Sequence, residues 1–155
     1  MGTFIFNDQC EAEAETVFCA ELPLGLKKED ALLDALSAAL RFPDYFGRNW
    51  NALDECICDL SWLPPGDVAL VHRDLPLADN RASLSIYLSI LHDAVGNWGT
   101  KGSNLIYASP EKWDASDWRG LLVKRKLLVM FPSNTEVTVR NVLADVALFN
   151  EYEAH

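Results

Sequence analysis

Two spacings of apolar residues alternate along this chain, one fitting strands and one fitting helices. Thr3 to Asn7 is aromatic and β-branched with period two, which predicts a short strand, and Thr16 to Ala20 predicts a second. Lys27 to Leu40 then repeats Leu32, Leu33, Leu36 and Leu40 at helical spacing. Pro43 has no place inside a helix, so this one is expected to end near Arg41. Asn49 is a good N-cap for the next helix, whose inner stripe is Leu53, Cys56, Ile57 and Leu60. Pro64-Pro65-Gly66-Asp67 breaks the pattern, and Val68 to His72 reads as a buried strand. Ser83 to Val95 carries Leu84, Tyr87, Leu88, Leu91 and Val95 on one helical face, with Gly96, Gly99 and Gly102 expected to end it.

Asn104 to Ala108 looks like the next strand, Leu127 to Phe131 another, and Glu136 to Phe149 a final helix with Val139, Val142, Leu143 and Val146 turned inward. Strands alternating with helices predict an α/β fold, a small parallel sheet flanked by helices, with an additional strand and helix at the C-terminus. No internal repeat or low-complexity linker divides the chain.

The second helix has a contrasting outer face. Asn51, Asp54, Glu55 and Asp59 occupy it, and Asn51 and Glu55, four apart, share one stripe. Just before it runs Phe42-Pro43-Asp44-Tyr45-Phe46-Gly47-Arg48, in which Gly47 is expected to permit a turn that a larger residue resists. An aromatic loop feeding an acidic helix face is a candidate docking surface for something basic.

The string from Phe42 to Cys56 resembles the signature of barstar-type ribonuclease inhibitors: a Pro-acidic-Tyr-aromatic-Gly-x-Asn loop leading into an Ala-Leu-x-x-Cys helix. The resemblance is dense there and looser from Thr3 to Pro110, so residues 1–110 are expected to form a barstar-like domain. Residues 111–155 lie beyond it as a C-terminal extension packed on the same domain. The resemblance implies that Tyr45, Gly47 and Asn49 lie against a ribonuclease. It also implies that Asn51 and Glu55 match two acidic positions that occupy its phosphate-binding centre. This chain keeps an acid at Glu55 and has an amide at Asn51, while Asp54 stands where the best-known member has an aromatic. Asp93, beside His92 on the later helix, falls near the position of another acidic contact.

Charge agrees with that expectation. The 155 residues carry 13 Lys plus Arg against 23 Asp plus Glu, a formal net charge of -10 that repels phosphate backbones and anionic membranes and attracts basic proteins. Half the residues are hydrophobic, a globular composition. The start of the chain shows no signal-peptide pattern and no apolar run reaches the ~20 residues a membrane helix needs. The cytoplasm is the expected location. Cys10, Cys19, Cys56 and Cys58 form no CxxC pair and are expected to be reduced thiols.

Nothing points to catalysis. The three His, at 72, 92 and 155, form no HExxH-like pair, and no phosphate-cradling glycine loop or GxSxG turn occurs. No catalytic residue, metal or cofactor is expected. The expected function is that of an intracellular immunity protein, holding a basic ribonuclease or ribonuclease toxin domain without binding nucleic acid directly. The alternative is a non-catalytic module of the same fold that binds a different basic partner.

Overall fold

The computed structural model describes residues 4–7, 18–63, 66–99, 105–107, 122–124 and 126–153. Thr3, Cys10, Thr16, Val17, Pro64, Pro65, Gly102, Asn104 and Ala108, which entered the expectations above, lie outside them.

Strands β1 (Ile5–Phe6), β2 (Phe18–Leu22), β3 (Val68–His72) and β6 (Leu127–Phe131) form one parallel sheet in the order β1-β6-β3-β2. The register sets Ile5 beside Met130, Val68 beside Leu127 and Phe18 beside Val68. Helices α1 (Glu29–Ala39) and α2 (Trp50–Asp59) connect β2 to β3, α3 (Arg81–Gly99) follows β3, and α4 (Glu136–Glu153) follows β6. The expected α/β architecture is therefore present, and β6 runs between β1 and β3. Its sheet is continuous across the expected boundary at residue 110.

Alternation along the strands decides which side the helices take. Ala20, Leu22, Val68, Leu70, Leu127, Val129 and Phe131 join a single core with buried residues of α1, α2, α3 and α4. Ala69, Val71 and Met130, pointing the opposite way, form a separate small cluster. All four helices thus contribute to the core on one face.

The strand expected over residues 104–108 is present as β4 (Leu105–Tyr107), which pairs antiparallel with β5 (Leu122–Lys124) in a second, two-stranded sheet. One expectation needs correction. Helix α3 does not stop before Gly96 but runs through it to Gly99. Trp98 explains the continuation. Its ring is 3% exposed and its indole N–H donates to the Ile57 carbonyl at 2.9 Å, an anchor that outweighs a glycine cost of about 1 kcal/mol. At Gly47 a Cβ would come to 3.3 Å from the Asn49 amide nitrogen, a tight approach that agrees with a turn resisting a larger residue, while the positive φ beside it falls on Arg48, at 53°.

A buried polar pair ties α3 to the sheet. His72 lies stacked on Phe131, ring centroids 4.0 Å apart, and burial pushes its pKa down to about 4, against the small upward pull of its bond to Met130. The ring is therefore neutral and has one N–H. The Met130 carbonyl, 2.9 Å from Nδ1, can only accept, so Nδ1 donates to it. Nε2 then accepts from the Tyr87 hydroxyl at 2.7 Å. Burial raises the Tyr87 pKa well above its ordinary value, so the phenol keeps its proton.

Candidate protein interface

The loop from Leu40 to Asn49 holds α2 at its N-terminal end. Helix α1 closes at Leu40, Arg41 takes φ 55°, and the Phe42 N–H returns to the Ser37 carbonyl at 2.9 Å. Phe42 is buried, with Phe46 4.8 Å and Trp62 5.9 Å away between ring centroids. The Trp62 indole N–H donates to the Leu40 carbonyl at 2.8 Å, which pins the first end of the loop. A backbone bond from Phe46 N–H to the Pro43 carbonyl, 3.0 Å, tightens the turn between them. Tyr45, at its tip, is left 73% exposed.

Asn49 caps α2 as expected. Its Oδ1 accepts from the Ala52 N–H at 2.7 Å and its Nδ2 reaches back to the Gly47 carbonyl at 3.4 Å. Both ends of this side chain are engaged within the chain, so Asn49 and Gly47 shape the loop by holding each other. Leu53, Cys56 and Ile57 are buried below, while Asn51, Asp54, Glu55 and Asp59 stand exposed above.

The exposed acids separate into two groups. On the loop side, the Tyr45 pKa is raised by partial desolvation and by the charges of Asp59, Cys56 and Glu55. The Tyr45 hydroxyl thus feels the negative charge of Asp59 and Glu55 on α2. Cys56 feels the same two carboxylates after desolvation, its largest influence, and its thiol is pushed up. On the other side, burial raises the Cys58 pKa, a hydrogen bond with Asn97 lowers it, and Asp54 and Asp93 raise it further. One thiol thus senses an acid from α2 and an acid from α3. Both shifts favour the protonated thiol over the nucleophilic thiolate.

Asn51, Asp54 and Asp93 also share a groove of about 700 Å³ that runs over α3, with α2 on one side and α4 on the other. Glu55 is not among its lining residues. The stripe expected to join Asn51 and Glu55 is therefore divided: Asn51 lines the groove and Glu55 does not. His92 is exposed and lies outside the groove lining.

Ion pairing leaves these acids unneutralised. Among the described residues the ion pairs are Arg48–Asp34, Arg73–Glu21, Arg81–Asp145 and Arg140–Glu136, and none engages Asp54, Glu55, Asp59 or Asp93. Sequence reasoning missed two members of the groove, Arg81 and Asp145. They lie 64 positions apart, and nothing in local spacing announces the pair. Asp145 does carry one signal, its place in the sequence between Val142 and Val146, apolar residues that line the same groove.

Among the described residues, no group of three or more His, Cys, Asp or Glu could hold a metal ion. Cys19, Cys56 and Cys58 form no disulfide among the described residues. No described helix is long and apolar enough to cross a membrane.

The model of the family described as Barstar (barnase inhibitor) matches residues 24–109, more than half of the chain, and the chain belongs to that family. The match takes in the loop, α2, β3 and α3, and with them Tyr45, Asp54, Glu55 and Asp93. Comparison with curated proteins and with solved structures found no match.

Proposed function

We propose that this protein is a non-covalent inhibitor of a basic ribonuclease or ribonuclease toxin domain, acting inside the producing cell as its immunity protein. The observation that carries the reading is a set of exposed carboxylates on α2, without ion-pair partners among the described residues, in the same surface region as an exposed Tyr45, in a chain of the barnase-inhibitor family.

The physical argument runs from the enzyme's needs. A ribonuclease site gathers Arg, Lys and His around phosphate oxygens, and carboxylates on a rigid helix accept the same charge-assisted hydrogen bonds. Glu55 and Asp54 supply that charge, Asp93 extends it, and Asn51 contributes an amide dipole in place of a third charge on α2. Tyr45 adds a rigid aromatic contact of the sort that concentrates binding energy. Gly47 and Asn49 keep the loop in shape. Such an inhibitor acts by occupation and has no catalytic group, metal or cofactor of its own. The cytoplasm follows from that role, since protection is needed where cellular RNA is. On this reading residues 111–155 belong with residues 1–110 in one domain, supported by the place of β6 between β1 and β3.

A second reading, an interaction module for another basic protein, is favoured by the amide at Asn51 and by a groove wall, α4, outside the matched residues. One experiment separates them. Barnase, and any basic protein captured from the native host, are assayed on a fluorogenic RNA with and without the chain. Cleavage stopped at stoichiometric amounts, and restored by Glu55→Ala with Tyr45→Ala, supports the inhibitor. Capture of basic proteins that do not cleave RNA, with barnase unaffected, sinks it in favour of the module.

A further inference from the structure

We propose that the groove over α3, between α2 and α4, is a docking cleft for a cationic amphipathic helix of the partner protein. The partner's identity as a ribonuclease rests on the reading above; the cleft and the chemistry it selects do not.

The floor is built for close approach. Ser85 and Ser89 lie one turn apart on α3, and each hydroxyl turns back onto its own helix: Ser85 donates to the Ala82 carbonyl at 2.7 Å and Ser89 to the Ser85 carbonyl at 2.8 Å. The floor is therefore shallow-chained and offers few free donors. Beside the serines, Ile86 is 43% exposed and Ile90 half-buried, and Val142 and Val146 continue the apolar surface onto α4. Trp50 closes the α2 side, its ring held 6.3 Å from Tyr87.

The rim supplies the sign of the occupant. Asp54 and Asp93 line one edge and have no ion-pair partner among the described residues. On the other, Asp145 is neutralised by Arg81. Three carboxylates against one guanidinium leave a negative trough with an apolar bed. A segment with an apolar stripe and Lys or Arg along its flank satisfies both.

The three elements forming the trough are helices, whose backbone groups are spent internally, so no strand edge is available for β-addition. Helices on either side of a third leave a channel shaped for a fourth. A second copy of this chain is a poor occupant, because it brings a net charge of -10 and the same carboxylates to face their equals. Wall α4 lies beyond the family-matched residues, so this cleft is a feature of the longer chain.

The test uses the full-length protein and a labelled Leu/Lys peptide of about four helical turns, with a Leu/Glu twin as control. Fluorescence anisotropy should show the Lys peptide binding and the Glu twin not, with a gain in helical circular dichroism on mixing. Ser89→Trp fills the floor without changing charge and should weaken binding by about tenfold or more, with Asp54→Asn plus Asp93→Asn acting in the same direction. Ile86→Ala, at an exposed site, gives the same readout if Ser89→Trp fails to fold. Binding indifferent to the neutral substitutions is charge-driven adhesion elsewhere and overturns the cleft. Nuclease inhibition lost with Tyr45→Ala and Glu55→Ala but untouched by Ser89→Trp keeps the inhibitor reading and overturns the cleft as its partner site. Peptide binding that follows Ser89→Trp while no nuclease is ever inhibited keeps the cleft and overturns the inhibitor.

Discussion

On its inner side α2 presents Leu53, Cys56 and Ile57 to the core, each 4% exposed or less. On its outer side, within the same ten residues, Asn51, Asp54 and Glu55 stand in solvent. The inner residues are held by neighbours from every side: Trp98 bonds the Ile57 carbonyl, and Trp50 meets Tyr87, whose hydroxyl bonds His72. The outer carboxylates have no ion-pair partner among the described residues. The contrast shows how one helix divides two tasks, since positions that satisfy each other make the fold and positions left unsatisfied are available to a partner.

The largest effect is expected at the centre of the inner face. Leu53→Ala removes a fully buried side chain and should cost about 2–5 kcal/mol, lowering Tm by roughly 5–15 °C. Calorimetry checks this directly. A loss of less than about 1 kcal/mol would mean that the core under α2 collapses around the gap, and the contrast between the faces would shrink.

Acid tests the same side through His72. Unfolded, its ring takes up a proton near pH 6.5; folded, only near pH 4. Between those values the unfolded chain holds the extra proton, so this group favours unfolding as pH falls. Stability is complete above pH 6.5 and declines towards pH 4, where this one ring accounts for about 3 kcal/mol. Denaturant midpoints from pH 7 to 4 should show a shallower slope in His72→Gln than in the parent. Equal slopes would assign the acid sensitivity to the carboxylates alone. Tyr87→Phe should cost about 1–3 kcal/mol at neutral pH, because it strands Nε2 in the core.

Asn49 lies where the two faces meet. Its replacement by Ala removes the cap bond to Ala52 and the reach back to Gly47, and should cost about 1 kcal/mol. Because the loop carrying Tyr45 then loosens, inhibition should weaken more than stability does. Parallel measurement of Tm and of residual RNA cleavage reads both. If inhibition follows Tm alone, Asn49 acts only as a cap.

Local pattern carried much of this into the sequence. Leu32, Leu33 and Leu36 announce α1, Asn49 announces the start of α2, and the unbroken apolar run at Val68 to His72 announces a strand buried along its whole length. What was hidden depends on partners distant in the chain. The β6 pattern predicts a strand, but not that it enters between β1 and β3. Gly96 reads as a helix end until Trp98 is seen to reach Ile57. The left-handed turns fall on Arg41, Arg48, Leu60 and Leu77, residues whose own preferences argue against them. At the candidate interface, Tyr45 and Glu55 are picked out by the resemblance of the loop and helix, and Asp54 by its place on the polar face of α2. The approach of Asp93 to Asp54, and the second wall of the groove, required the packing of α3 and α4.

The outer acids give the smallest change in stability. Asp54→Ala and Glu55→Ala remove no bond that the fold uses, and each should leave Tm within about 2 °C of the parent. Their effects on binding should differ from each other. The charges of Glu55 and Asp59 act on Tyr45, while Asp54 lines the groove with Asp93, so the two belong to different edges of the outer face of α2. Glu55→Ala should be non-additive with Tyr45→Ala, because neighbours in one contact share its energy, and additive with Asp93→Ala. Asp54→Ala should show the reverse. A double-mutant cycle on inhibition, run with all four substitutions, reads the coupling within about 0.5 kcal/mol. Strong coupling between Glu55 and Asp54, with none to Tyr45 or Asp93, would fuse the two surfaces into one and remove the distinction between loop side and groove side.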